Sequence, residues 1–236
     1  MTQTCSRCGG RGQFVARYYG NENIPVEKGQ MYKDAKEMGY DELVIVEDCN
    51  CKEQVDIYDA QTKSEMGELL KLRLEDYKAD VPLTKMLKET AEKYLKDPNK
   101  MWFTILGKTG TTKTTIGSCI MNAMIDKGYQ GLLLRWNDYS RRTKSKIMDD
   151  QYEDIFYHYA DAQVLLIDDL IKGSRTEADI QQMYDLVDYR YRNGKITIIT
   201  SEYSLKELAA IDQATTRRIK ERSGAYLIDI PEGERL

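Results

Sequence analysis

Residues 107–115, Gly-Lys-Thr-Gly-Thr-Thr-Lys-Thr-Thr, decide the fold of this chain. The run follows an apolar stretch at 101–106 and precedes a stretch with helical spacing at 116–125. A strand, a loop of small residues and a helix in that order form a phosphate cradle, because the loop amides and the helix N-terminus point at the anion. Lys113 supplies a charge for the β- and γ-phosphates, and the Thr114 hydroxyl is placed to hold Mg²⁺. We therefore predict a loop that binds ATP and Mg²⁺.

One residue departs from the pattern Gly-x-x-x-x-Gly-Lys-[Ser/Thr]. The pattern has glycine at position 112, where this chain has Thr112, and glycine lets the backbone approach phosphate without a Cβ in the way. The departure leaves two alternatives open, a loop with weakened nucleotide affinity and a polar loop that only resembles the motif. The predicted nucleotide contacts are Gly107, Lys108, Thr109, Gly110, Thr111, Thr112, Lys113, Thr114 and Thr115.

The composition is that of a soluble globular protein with one sizeable core and a small appendage. Of 236 residues, 41% are hydrophobic and 31% are charged, and the net charge is −4. This balance excludes an overall basic field for nucleic acid, so any such contact depends on local patches. The N-terminal residues lack the apolar core of a signal peptide, and no run approaches transmembrane length. We expect a cytoplasmic protein with no membrane partner.

Four of the five cysteines form two close pairs. The pairs are Cys5 with Cys8 and Cys49 with Cys51. In a reducing compartment this spacing indicates a metal site rather than disulfides. Because the only histidine, His158, is far away in the sequence, the predicted ligand set is four thiolates, which suits structural zinc. Four unconnected thiols and a redox pair are the alternatives.

The chain is predicted to have three parts. Residues 1–55 form a small zinc-binding domain with short strands at 13–19 and 42–47 and a polar insert between them. Residues 56–80 are a charged linker that contains a helix, and residues 81–236 form the nucleotide-binding domain.

Strands alternate with helices in the nucleotide-binding domain, which predicts a parallel sheet with crossover helices. A helix capped by Thr84 is expected to run to residue 96. The predicted fold class is α/β: a P-loop NTPase domain with a parallel sheet and flanking helices, preceded by the small zinc-binding domain. The expected strands are 101–106, 131–136, 163–168, 196–200 and 226–230.

The strand at 163–168 ends in two carboxylates, Asp168 and Asp169. After a phosphate-binding loop such a strand is typical of the Walker B element. We expect Asp168 to hold Mg²⁺ together with Thr114, and Asp169 to orient and deprotonate the attacking water. Taken alone, two aspartates at a strand end are a common strand-end cap.

Two arginines in a basic helical run are candidates for catalysis. Arg218 and Arg222 stand four residues apart and so project from the same helix face. A guanidinium neutralises several phosphate oxygens at once, which suits contact with the γ-phosphate held by a neighbouring subunit. A solvated basic face is the alternative.

These motifs occur in the order found in the DnaC/DnaI family. The set comprises the two N-terminal cysteine pairs, the phosphate-binding loop, Leu-Leu-Ile-Asp-Asp at 165–169, Thr-Ser-x-x-Ser-Leu-Lys-Glu-Leu at 200–208 and Arg-Ile-Lys-Glu-Arg at 218–222. The chain resembles these AAA+ loaders of bacterial and phage replicative helicases, whose relatives include the IstB transposition ATPases. The resemblance covers nearly the whole chain and is most specific over 101–236.

The resemblance implies an AAA+ ATPase that self-associates and loads a hexameric DnaB-type helicase onto single-stranded DNA during replication initiation. It implies that the N-terminal domain, residues 1–55, binds the helicase. It implies a polar sensor at 200–202, with Ser201 and Glu202 near the nucleotide, although the family favours asparagine where this chain has Glu202. It also implies a sensor arginine at Arg235. The implied single-stranded DNA contacts, which are equally consistent with a solvated helix face, are Arg141, Arg142, Lys144, Lys146, Ser174, Arg175 and Thr176.

The sequence is also consistent with three other functions. One is an IstB-like transposition ATPase, although the predicted zinc-binding domain argues against it. Another is a nucleotide-binding adaptor or inhibitor of the helicase that no longer hydrolyses ATP. A third is a zinc-dependent nucleic-acid binder with a vestigial ATPase fold.

Overall fold

The structure is a computed structural model. The chain divides into two compact units, Met1–Asp59 and Ala60–Leu236. The residues that the structure describes are 11, 13–19, 28–49, 60–98, 101–108, 110, 112–146, 151–173 and 175–233. The predicted site residues outside this part are Cys5, Cys8, Cys51, Thr109, Thr111, Ser174 and Arg235.

The first unit contains an antiparallel strand pair and one helix. Strands β1 (Gln13–Tyr19) and β2 (Glu42–Asp48) pair along their full length, as the sequence predicts. Helix α1 (Gly29–Glu37) lies between them in the chain, where the sequence suggests only a polar insert. Its one fully buried side chain is Tyr32, so its apolar stripe is too short to show as a helical period.

The second unit is built on a five-stranded parallel sheet with the strand order β4-β5-β6-β3-β7. This confirms the predicted α/β fold with a parallel sheet. All residues of β3 and β5 are buried, as expected for parallel strands covered on both faces. The strands are β3 (Phe103–Leu106), β4 (Gly131–Arg135), β5 (Val164–Asp168), β6 (Ile196–Ser201) and β7 (Leu227–Asp229).

Helices cover both faces of the sheet. Successive strand residues point to opposite faces, so Leu166 belongs to one hydrophobic cluster and Leu165 to the other. Helices α2 and α3 contribute to the first cluster, and α4, α5, α6, α7 and α8 to the second. Among the described residues, none of the helices combines the length and the hydrophobicity that a membrane span requires. The helices are α2 (Pro82–Lys96), α3 (Lys113–Ile125), α4 (Trp136–Lys144), α5 (Gln151–Ala160), α6 (Glu177–Arg192), α7 (Leu205–Ile211) and α8 (Gln213–Ser223).

Residues 60–80 pack against this unit. Met66 and Tyr77 are buried in the cluster that contains α2 and α3. The side-chain amide of Asn122 donates to the carbonyls of Leu69 and Leu72, each at 2.8 Å. The segment is therefore packed rather than solvated. It contains helical residues at 60–63 and a 3-10 helix at Gly67–Lys71, both too short to give a helical period in the sequence. The predicted domain boundaries stay a prediction.

Helix α2 begins before the predicted cap. Its first residue is Pro82, and Val81 is the N-cap. The Thr84 hydroxyl lies within the first turn, where it accepts from the Val81 N–H at 3.2 Å and donates to the Val81 carbonyl at 3.0 Å. The expectation that Thr84 caps the helix is therefore wrong, because proline at the first position already has the helical φ.

A buried guanidinium joins α5, α6 and β6. Arg190 has no exposed surface, and burial lowers the pKa of its guanidinium. Its donors satisfy carbonyls at the end of α5 that have no partner within that helix. The acceptors are the carbonyls of Tyr159 (3.1 Å), Ala160 (2.9 Å), Ala162 (2.9 Å) and Ile196 (2.5 Å) and the hydroxyl of Thr197 (2.9 Å).

We expect Arg190→Met to lower the free energy of unfolding by about 3 kcal/mol, because it leaves several buried carbonyls unsatisfied. Urea denaturation measures the change. The matched control is Arg192→Met, whose exposed guanidinium pairs with Asp188. Asp188 keeps its ion pair with Arg218, so the loss is expected to be about 1 kcal/mol or less. Equal losses in the two variants would contradict a structural role for Arg190.

Candidate nucleotide-binding site

The predicted phosphate-binding loop lies beside two strand ends, the acidic end of β5 and the polar end of β6. Strands β5, β6 and β3 are neighbours in the sheet and run in the same direction. Their carboxyl ends therefore meet at one edge, which is where open α/β sheets bind ligands. This edge carries the loop after Leu106, the carboxylates of Asp168 and Asp169, and Thr200.

Two glycines give the loop its path. Gly107 has φ +142°, and a Cβ on it would lie 2.8 Å from the Cβ of Ile230, too close for any other residue. Its N–H donates to the Ser201 carbonyl at 3.1 Å. Gly110 has φ +89°, a left-handed value that favours glycine. The loop leads directly into α3 at Lys113.

Thr112 adopts a left-handed backbone conformation, which glycine adopts more readily. Its φ of 53° and ψ of 23° lie in the left-handed region, which costs a residue with a Cβ about 1 kcal/mol. The Thr112 and Tyr77 hydroxyl oxygens are 2.6 Å apart and form a hydrogen bond. Sequence reasoning missed Tyr77, because it lies in the segment interpreted as a linker.

The Lys113 ammonium is desolvated beside the loop. The residue is 6% exposed, and its Nζ donates to the Lys108 carbonyl at 3.0 Å. Burial lowers the pKa of Lys113, while Asp169 and Glu202 oppose that shift. A phosphate anion would stabilise the charged form in the same way. Lys108 itself forms an ion pair at 2.8 Å with Glu207.

Three side-chain oxygens converge beside Lys113. The Thr114 hydroxyl donates to Oδ1 of Asp168 at 2.8 Å, and the Thr200 hydroxyl donates to the same oxygen at 2.7 Å. Thr200 also accepts from the Asp169 N–H at 2.9 Å. Carboxylate and hydroxyl oxygens are hard ligands of the kind that Mg²⁺ prefers. Thr114 and Asp168 therefore fit the predicted magnesium site.

The predicted base, Asp169, is ion-paired. Its backbone is left-handed, with φ 57°. The Lys172 ammonium lies 2.9 Å from Oδ2 of Asp169 and 2.8 Å from Oε1 of Glu202. Glu202 first and then Asp169 raise the pKa of Lys172. The ammonium thus occupies an oxygen of the carboxylate that would accept a proton from water, and the motif gave no sign of this lysine.

The two predicted sensor residues differ in placement. Ser201 has no exposed surface, and its hydroxyl donates to the Leu170 carbonyl at 3.0 Å. Ser201 therefore supports the loop through its carbonyl, which accepts from the Gly107 N–H, and its hydroxyl is not directed at the loop. Glu202 lines a cleft of about 380 Å³ together with Gly107 and Lys108, on the side of the loop near α7.

A second cleft lies on the other side of the loop, near the start of α2. Its volume is about 460 Å³, within the range of small-molecule sites. It adjoins the loop through Thr112 and Thr115, so a ligand whose phosphates bind the loop has room here for its base. The lining residues are Asp76, Tyr77, Lys78, Asp80, Val81, Thr84, Thr112 and Thr115.

The predicted catalytic arginines have partners within the chain. Arg218 lies 2.7 Å from Asp188 in an ion pair. Arg222 donates to the Tyr191 carbonyl at 2.6 Å, and its guanidinium carbon is 4.7 Å from the centre of the Tyr191 ring. Both would have to leave these contacts to reach a neighbouring subunit, whereas the adjacent Arg217 is exposed. Their action in trans stays a prediction.

Some of the predicted DNA-contacting residues share a cleft. Arg141 and Lys144 of α4 line a space of about 260 Å³ together with Lys172. Lys144 forms an ion pair at 2.5 Å with buried Asp179. Burial opposes ionisation of this carboxyl, but its hydrogen bonds, the one from Lys144 foremost, leave its pKa well below the usual range. Arg141 pairs at 2.8 Å with Asp138 on the surface. DNA contact stays a prediction for these residues.

The other predicted DNA-contacting residues that the structure describes are Arg142, Lys146, Arg175 and Thr176. Arg142 is exposed on α4, and Lys146 follows the end of that helix. The guanidinium carbon of Arg175 lies 5.2 Å from the ring centre of Tyr203. Thr176 is the N-cap of α6, where its hydroxyl accepts from the Asp179 N–H. Helix capping accounts for Thr176 without DNA.

The zinc prediction is not tested by the structure. Of its four cysteines only Cys49 lies among the described residues, where it is buried. In that part of the chain no cluster of three His, Cys, Asp or Glu side chains is arranged to hold a metal ion.

Comparison with known proteins identifies the family. A family model described as IstB-like ATP binding protein matches residues 69–222, more than half of the chain. The chain belongs to the IstB-like ATP-binding family. The resemblance predicted from the motifs is confirmed at the level of an IstB/DnaC-like AAA+ ATP-binding family.

Individual proteins extend this comparison. The chain is 28% identical over 150 residues to the phage-like element PBSX protein XkdC of Bacillus subtilis (strain 168), an alignment that covers 58% of this chain and 53% of that protein. It spans about half the length of the curated relatives it matches. The fold is similar to that of the DnaC helicase loader (TM-score 0.60, 20% identity, 65% of this chain and 94% of that one) and of DnaI (TM-score 0.59, 20% identity, 70% and 93%).

We expect Thr200→Val to weaken the Mg²⁺-dependent affinity for ATP by about tenfold or more, because it removes a hydroxyl that orients a metal ligand, Asp168. Titration calorimetry with and without Mg²⁺ measures the effect. The matched control is Thr104→Val, since Thr104 is also a buried strand residue but its hydroxyl bonds Ser223 at 2.8 Å. A similar loss of affinity in both variants would contradict the role given to Thr200.

Proposed function

We propose that the protein is an AAA+ ATPase that loads a DnaB-type hexameric helicase onto single-stranded DNA. The observation that carries the ATPase part is the convergence of Lys113, Thr114, Asp168 and Thr200 at one edge of the parallel sheet. Family membership as an ATP-binding protein supports the nucleotide.

Each site residue has a role in this proposal. Lys113 and the amides at the start of α3 hold the β- and γ-phosphates. Thr114 and Asp168 hold Mg²⁺, which neutralises charge on the phosphate oxygens when bound. Asp169 accepts a proton from the attacking water. It does so after Lys172 leaves it, because an ion-paired carboxylate is a weaker base.

The helicase-loading part rests on similarity. One solved structure with this fold is named a helicase loader, and a curated relative belongs to a phage-like element. We infer a helicase partner, self-association through the AAA+ domains, and contact with single-stranded DNA at the cleft of Arg141 and Lys144. Each of the three cations that line this cleft is ion-paired, but they outnumber its one lining carboxylate, Asp179. This net positive charge suits a phosphate backbone.

A second candidate function is a nucleotide-binding adaptor or inhibitor of the helicase with little turnover. The ion pairs of Lys172 with Asp169 and Glu202 favour it, since they occupy the group that would activate water. A transposition partner in place of a helicase is a third candidate, supported by the family description.

The decisive test is ATP turnover by the full chain with and without single-stranded DNA and a DnaB-type helicase. We expect turnover to rise in their presence and to fall at least about tenfold in Lys113→Ala, which loses the phosphate-binding charge. The matched control is Lys127→Ala, which removes an exposed lysine on the same side of the sheet. We expect this variant to keep the parental turnover.

The outcomes separate the candidates. Helicase binding without turnover would overturn the ATPase part and favour the adaptor. Capture of a transposase but no helicase in parallel binding assays would overturn the loading part and favour transposition.

Release of Lys172 gives a further prediction. We expect Lys172→Met to raise ATP turnover by about threefold or more at saturating ATP, because Asp169 is then free to accept the proton. Lys172→Arg, which keeps the charge, is the control and is expected to stay near the parent. A fall in turnover in Lys172→Met would show instead that this ammonium assists the phosphate chemistry.

A further inference from the structure

Tyr77 connects the segment before α2 to the phosphate-binding loop. It is 7% exposed and packs in the cluster beneath α2 and α3. Its backbone is held at both ends: its N–H donates to the Leu74 carbonyl at 3.3 Å, and its carbonyl accepts from the Lys88 ammonium at 3.4 Å. The phenol oxygen is therefore presented from a fixed position.

That oxygen contacts Thr112, a loop residue whose backbone conformation favours a different residue type. Thr112 occupies the left-handed region at φ 53°, which favours glycine because a Cβ crowds the following carbonyl. Thr112 is also the residue before α3, so its ψ sets the direction of the Lys113 N–H at the helix N-terminus. If Thr112 relaxed to a right-handed or extended conformation, the first amide of α3 would turn away from the phosphate position.

The hydrogen bond to Tyr77 opposes that relaxation. The two hydroxyl oxygens are 2.6 Å apart, and a bond of this length requires the threonine side chain to face the cleft near α2. Burial raises the pKa of the Tyr77 phenol, so the phenol keeps its proton at neutral pH and the pair retains a donor. A glycine at position 112 has no side chain with which to make this bond.

We propose that Tyr77 is a positioning residue for the phosphate-binding loop, its hydroxyl holding Thr112 in the conformation that glycine adopts at no steric cost. The inference rests on the proposed binding of nucleotide by this loop and deepens it. The ring of Tyr77 also lines the cleft that has room for the base. Tyr77 thus adjoins both the phosphate-binding loop and this cleft.

The test is a double-mutant cycle on the full chain, with Mg²⁺·ATP affinity measured by titration calorimetry. Tyr77→Phe keeps the ring and removes only the hydroxyl. We expect it to weaken affinity about fivefold in the Thr112 background, the usual effect of one neutral hydrogen bond. The same change made on Thr112→Gly is expected to weaken affinity by less than about twofold, because glycine needs no restraint.

Tyr189→Phe is the matched control, since Tyr189 bonds Asp161 on the surface, away from the loop. It is expected to keep parental affinity. Urea denaturation of every variant distinguishes a loss of stability from a loss of affinity. If Tyr77 had a purely structural role, Tyr77→Phe would lower the free energy of unfolding, and its effect on affinity would be the same with threonine or glycine at position 112.

The affinities of the parent and of the variants separate the role of Tyr77 from nucleotide binding itself. Equal effects of Tyr77→Phe in the parent and in the Thr112→Gly background, or no effect in either, would overturn the positioning role while nucleotide binding by the parent stands. A parent chain that does not bind Mg²⁺·ATP would overturn the proposed function and the positioning role together.

Discussion

The candidate site in the second unit depends on one carboxylate oxygen, Oδ1 of Asp168, which accepts hydrogen bonds from two hydroxyl groups. Thr114 reaches it from α3 and Thr200 reaches it from β6, so one carboxylate at the end of β5 fixes the distance between the phosphate loop and the neighbouring strand. Thr200 then holds the Asp169 N–H, which sets the path of the chain after β5. The ligands of the proposed magnesium site are thus positioned by the same bonds that join the helix to the sheet.

The chain departs from the phosphate-binding and sensor patterns, and each departure has a local counterpart in the structure. Thr112 replaces a glycine and is bonded by Tyr77. Glu202 replaces an expected asparagine and is paired with Lys172, which also holds Asp169. In our proposal the first pair keeps the loop in the conformation that binds phosphate, whereas the second pair restrains the carboxylate that would activate water. We therefore expect nucleotide binding and turnover to be separable properties of this site.

The sequence predicted the parallel sheet, and the residues that lie together at its carboxyl edge, because their signals are local. Parallel strands such as β5 are continuous apolar runs, and the loop and Asp168 directly follow such runs. The positions of Tyr77 and Lys172 were not predictable in the same way. Tyr77 lies in a charged segment without a helical period, and its partner is distant in the chain. Lys172 follows a turn with left-handed residues at Asp169 and Ile171, which local sequence does not reveal. Arg218 shows the converse: helix spacing gave its face correctly, but not its pairing with Asp188.

The most direct measurement of the central claim is the effect of Mg²⁺ on the affinity of the full chain for ATP, in the parent and in Asp168→Asn. If Asp168 organises the site as the structure indicates, Mg²⁺ strengthens ATP binding by the parent. The variant then binds ATP equally well with and without the ion. Parental binding that is indifferent to Mg²⁺, or an undiminished Mg²⁺ effect in Asp168→Asn, would contradict a nucleotide site centred on this carboxylate.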